Sequence, residues 1–126
     1  MLYLRIGNPR TRLSFHTMAL IDTGADACAV PAGFAMSLGL DLETGAVKRV
    51  GTASGVAKAY SHRCKVEVFD TTALQAGRPT VVYIADDLNV DFLPKLRTVL
   101  LGVRGFLDRF VLSVDYPNRT FSFRRE

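Results

Sequence analysis

The sequence predicts a mainly β fold in a single domain, and three observations carry this. Apolar and polar residues alternate with a period of two through residues 2–6, 13–21 and 64–69, the pattern of half-buried strands. Glycine, asparagine and proline punctuate the chain between such runs. The 126 residues, 48% hydrophobic and 22% charged, hold enough apolar material for one core and little for a second.

The elements follow in order. Gly7, Asn8, Pro9 and Arg10 are turn formers between the first two alternating runs, which therefore pair as a hairpin. Pro31, the stretch Ala32 to Leu38 and a closing Gly39 predict a short helix, with proline in its first turn and glycine just past its end. Residues 50–57 are small, with strand-like flanks between 42 and 60. This suits a flexible hairpin with a glycine-rich tip that could close over a site. A loop is expected over 71–79, then a strand over 80–85, then a looser stretch from Asp86 and Asp87 to Arg97. Val99, Leu100, Leu101 and Gly102 read as a buried strand feeding a short helix at 105–110. Strands at 111–114 and 120–123, joined by a turn at 116–119, close the chain, with no internal repeat and no linker.

Composition narrows the function. The excess of 16 basic over 12 acidic residues gives +4, but the arginines are scattered, so a solvated basic surface is expected and nucleic acid is not an expected partner. A small nucleic-acid-binding barrel would rest on that charge alone. No apolar run approaches the roughly 20 residues of a membrane span, and none is expected. Residues 1–6 lack the pattern of a signal peptide, so the expected location is cytoplasmic. Cys28 and Cys64 are too few for a disulfide scaffold and lack zinc spacing, and are expected to be buried thiols. His16 and His62 have no partner at ligand spacing, and neither a metal nor another cofactor is expected.

The most informative stretch is Leu20-Ile21-Asp22-Thr23-Gly24-Ala25-Asp26, where an apolar strand runs straight into an aspartate. A carboxylate at the end of a buried strand is costly unless it is held by hydrogen bonds or a partner, which makes Asp22 a candidate catalytic acid. Asp-Thr-Gly alone is also a good turn sequence, but the flanks sharpen it.

Here the chain resembles the retroviral-type, retropepsin-like aspartic proteases, whose active-site loop is a few apolar residues followed by Asp-Thr-Gly-Ala. Leu100-Leu101-Gly102 and the segment through Phe110 resemble the family's second signature, an apolar-apolar-glycine strand end followed by a short helix. The hairpin carrying Gly51, Thr52, Ala53, Ser54 and Gly55 falls where the family places its flap, so the resemblance runs from about Leu13 to Phe123. The Gly-x-x-Gly-Phe-Leu-Asp-Arg-Phe pattern is similar to that of retropepsin-like proteins of bacterial genomes.

The resemblance implies a closed, mainly antiparallel acid-protease barrel of six to seven strands with one or two short helices. It also implies an aspartic endopeptidase acting on peptide or protein substrates. Each active site of the family uses two Asp-Thr-Gly loops and this chain has one, so catalysis implies a homodimer with one Asp22 from each subunit. By the same resemblance, Thr23 hydrogen-bonds across the dimer or, failing that, to its own turn. Gly24 and Ala25 keep the floor low for a peptide. Asp26 touches substrate main chain and pairs with Arg5 or Arg104, or is an exposed turn acid. Leu100, Leu101 and Gly102 are candidates for the cleft wall; successive strand residues point to opposite sides, so either leucine could face the cleft. Many retropepsins have arginine directly after the late glycine, where this chain has Val103 and then Arg104. A module that keeps the barrel but lacks turnover is the alternative reading.

Overall fold

The computed structural model describes residues 1–52 and 55–125. Nine strands are present among the described residues: β1 (Leu2–Gly7), β2 (Ser14–Ile21), β3 (Cys28–Pro31), β4 (Ala46–Thr52), β5 (Gly55–Phe69), β6 (Val81–Leu93), β7 (Val99–Leu101), β8 (Phe110–Asp115) and β9 (Thr120–Arg125). Two short α-helices, α1 (Phe34–Ser37) and α2 (Thr71–Gln75), and two 3₁₀ turns at Leu42–Thr44 and Leu107–Arg109 complete them.

Seven strands form one sheet in the order β1-β2-β7-β3-β6-β5-β4, and β1 pairs again with β5. That second pairing closes six strands into a barrel and leaves β4 outside the ring. β5 makes this possible by dividing one edge between two partners. Its residues from Gly55 to Ser61 pair with β4, and those from Lys65 to Val68 pair with β1. The barrel is mixed, with parallel pairs at β2–β7 and β3–β6 and antiparallel pairs elsewhere.

Period-two alternation fills the barrel. Leu2, Leu4 and Ile6 of β1 point inward beside Val66 and Val68 of β5, Leu88, Val90 and Phe92 of β6, and Val99 and Leu101 of β7. A second, smaller cluster lies elsewhere. Ala29, Ala59 and Leu93 are buried with Val50, Ala57, Leu96 and Leu100 against them, where the β4–β5 hairpin leans over the barrel wall. The β8–β9 hairpin forms its own two-stranded sheet, with Phe110 4.8 Å from Tyr83 and Arg125 over the face of Tyr83.

The expected β1–β2 and β8–β9 hairpins are found, and Gly39, at φ +66, closes the turn after α1. Three expectations are corrected and one strand is added. Residues 71–79 are not all loop, because Asp70 accepts a hydrogen bond from the Ala73 amide and caps α2. The stretch after Asp86 is not loose: β6 continues to Leu93, with the two exposed aspartates facing water where the β5 ladder shifts register between Cys64 and Val66. β3 is an additional strand, too short and too uniformly apolar to alternate because Cys28 and Val30 face the barrel core while Ala29 faces the second cluster. The helix expected at 105–110 is only the 3₁₀ turn Leu107–Arg109. No described helix is long and apolar enough to cross a membrane.

Candidate active site

The strand carrying Leu20 and Ile21 ends where β7 ends, because the two run parallel in register with Leu100 and Leu101. Asp22 leaves the sheet at this point. Its amide donates to the Leu101 carbonyl at 3.0 Å, and its own carbonyl accepts from Ala25 at 3.2 Å, closing a tight turn. Within the turn the Gly24 amide donates to Asp22 Oδ1 at 2.9 Å. The half-buried carboxylate is thus held by its own loop. That bond fixes the direction of the side chain.

The loop is pinned from beneath by the segment after β7. Val103 donates to the Ala25 carbonyl at 2.9 Å and Arg104 to the Asp26 carbonyl at 2.7 Å. Gly102 is what allows this approach, since a methyl group there would collide with the Ala27 carbonyl and lie 2.8 Å from that of Ala25. The late apolar-apolar-glycine run is therefore a support for the Asp22 loop. Cys28 lies below the same loop, and burial, offset in part by a backbone hydrogen bond from Gly102, pushes its thiol up to about 11.

A cleft of about 580 Å³ opens above the loop. Its floor includes Asp22, Gly24, Ala25, Asp26, Ala29 and Leu100, and β4 contributes Lys48, Val50, Gly51 and Thr52 from above. Leu100 faces the cleft and Leu101, fully buried, faces the barrel core, which settles the choice that alternation left open. The tip of the overhanging hairpin is tied by Thr52 Oγ1 donating to the Gly55 carbonyl at 2.8 Å, and Gly55 adopts φ +122. Ala53 and Ser54 lie outside the described residues. Thr23 is exposed.

The side chain of Asp26 is exposed, and among the described residues no ion pair joins it to Arg5 or Arg104. Arg5 is engaged with Glu67 at 2.7 Å across the barrel closure, and Arg104 meets Asp26 through its backbone.

Sequence reasoning missed one acid in the cleft. Asp91 of β6 is buried, accepts from Ser61 Oγ at 2.8 Å and pairs with Lys48 Nζ at 2.8 Å. A signal existed. Leu88, Val90 and Phe92 alternate into the core, which places Asp91 and Leu93 on the opposite face, but two aspartates at 86 and 87 masked the continuing strand.

Comparison with known proteins agrees with this geometry. The aspartyl protease family matches the chain over residues 14–104. Among solved structures, that of a retropepsin-like aspartic protease from Rickettsia conorii is similar at 23% identity and a TM-score of 0.56, over 90% of this chain and 82% of that one. No curated protein sequence matches the chain significantly.

Proposed function

This chain belongs to the aspartyl protease family, and we propose that it is an aspartic endopeptidase whose working unit is a homodimer. One observation carries the reading. Asp22 is held at the end of β2 by the Leu101 carbonyl and the Gly24 amide, on the floor of a cleft large enough for several peptide residues. Each chain supplies one aspartate held in this way, and the activation of water by carboxylates needs both a base and an acid. A second copy related by a twofold axis supplies the other. Thr23 is exposed, which leaves it free to meet the partner loop in such a dimer.

Two carboxylates at close range cannot both ionise cheaply, so the pair holds one proton between them. The ionised Asp22 takes a proton from water as the water oxygen bonds to the scissile carbonyl carbon. The protonated Asp22 of the other subunit gives its proton to the carbonyl oxygen, and a neutral gem-diol results. Collapse returns a diol proton to one carboxylate, breaks the C–N bond and delivers a proton to the leaving nitrogen. The β4–β5 hairpin, with Gly51 and Thr52 over the cleft, serves as flap, and Ala53 and Ser54 belong to its tip by sequence position.

The test is Asp22→Asn, which keeps the size of the side chain and loses the base. Hydrolysis of a peptide cut by the wild-type chain falls at least about a thousandfold, while circular dichroism stays unchanged. A variant that cuts near the wild-type rate sinks the assignment. A wild-type chain that binds peptides without cutting them favours the peptide-binding module instead.

A further inference from the structure

One rung of hydrogen-bonded partners crosses six strands beneath the hairpin: Leu20, Leu100, Ala29, Asp91, Ser61 and Ala46. Residues opposite one another on neighbouring strands share a face. Asp91 therefore sits on the face that Leu100 and Ala29 present to the cleft, between two small neighbours, and it lines the cleft itself. It is also the one buried charged residue among the described residues that do so. The adjoining lining of the cleft is apolar, formed by Ala29, Val50, Leu93, Leu96 and Leu100.

A buried carboxylate requires compensation, and Asp91 has two sources of it. The Ser61 hydroxyl, on the neighbouring barrel strand, is fixed. The Lys48 ammonium is not fixed to the same degree. It reaches Asp91 from β4, the strand outside the closed ring, and its side chain is 45% exposed against 6% for Asp91. A lysine so placed can swing its head into water once another cation takes its place at Asp91, whereas Asp91 cannot leave.

We infer that Asp91 determines specificity by selecting a lysine or arginine side chain of the bound peptide, with Lys48 occupying the same position in the free chain. The inference rests on reading the cleft as a peptide site. The apolar surround receives the methylene stem of the basic side chain, the small neighbours Ala29 and Ser61 leave room for it, and its cationic head displaces Lys48 from Asp91. An acidic side chain is disfavoured. Lys48 is already engaged and exposed to water, while Asp22, Asp26 and Asp91 put three carboxylates into the cleft against Lys48 and Arg49.

The test uses the full chain carrying Asp22→Asn, so that bound peptides are not cut, panned against a randomised peptide library. Lysine and arginine are enriched about tenfold at one peptide position over uncharged residues of similar length. Adding Asp91→Asn, which keeps the size of the side chain, removes that enrichment. Adding Lys48→Met instead increases it, because the internal competitor is gone. No basic enrichment, enrichment of Asp or Glu, or basic enrichment that survives Asp91→Asn overturns the inference. Should Asp91→Asn fail to fold, the Lys48→Met comparison decides, and basic enrichment that does not rise overturns it. Digestion of the same library by the wild-type chain separates the two readings. Basic enrichment on panning with no cleavage removes the peptidase and leaves Asp91 as the selector; cleavage with no basic preference does the reverse.

Discussion

Arg5 and Glu67 face each other across β1 and β5, the strand pair that closes the barrel, and meet in a two-pronged ion pair. Arg5 Nε lies 2.8 Å from Glu67 Oε1 and Nη2 lies 2.7 Å from Oε2. The guanidinium hydrogen bonds hold the Glu67 carboxyl below its ordinary value of 4.5, working against desolvation, and Glu67 in turn raises Arg5. A carboxyl lowered by folding contributes stability in full above its ordinary value, and that contribution is lost as the pH falls through the lowered, folded value. Because the Arg5 side chain is 38% exposed, solvent screens part of the pair. Glu67→Gln is expected to cost about 1–2 kcal/mol at neutral pH and progressively less in acid. Urea unfolding of both chains at neutral and acid pH checks this; an equal gap at the two pH values excludes the pair as its source.

Gly102→Ala tests the support under the Asp22 loop. The added methyl meets two backbone carbonyls, which cannot yield without shifting the loop. A loss of about 2–3 kcal/mol is expected, as for overpacking in a tight core. Gly51→Ala is the control, since its methyl would enter open space. Thermal unfolding should separate the two variants clearly, and equal melting temperatures contradict the close approach.

The two thiols should be silent in the folded chain. Burial pushes Cys28 up to about 11 and Cys64 up to about 12, so little thiolate exists near neutrality and neither sulfur is accessible. Iodoacetamide at mildly alkaline pH is expected to leave both unmodified by mass spectrometry and to alkylate both after denaturation. Rapid labelling of the native chain contradicts the packing around β3 and β5.

Subunit mixing tests the paired carboxylates. Wild-type and Asp22→Asn chains are combined under conditions where exchange is shown independently. If mixed dimers are dead, activity follows the square of the wild-type fraction, about one quarter at equal proportions. A straight line with proven exchange means that each chain works alone.

Much of the fold was legible because β1 and β2 alternate and because turn formers join β1 to β2 and β8 to β9. The residues after Ile21 were legible for a different reason, an acid where burial makes one expensive. Other features depend on tertiary context. β3 is apolar on both faces because the barrel core covers one and the second cluster covers the other, which no period announces. The exposed Asp86 and Asp87 resemble a strand end, yet β5 keeps pairing beyond them through a register shift. Whether Leu100 or Leu101 faces the cleft depends on what covers each side of β7. Asp91 went unread because Lys48 and Ser61 come from strands far from it in the chain.

The hydrogen bonds that hold the Asp22 loop bear on when the site comes into being. Asp22 is made well before its acceptor at Leu101 and the donors at Val103 and Arg104. On the proposed function, a chain still on the ribosome carries its aspartate long before it carries a working site. Hydrolysis then waits for the segment that follows β7, and nascent chains emerging beside it are not exposed to a half-built enzyme.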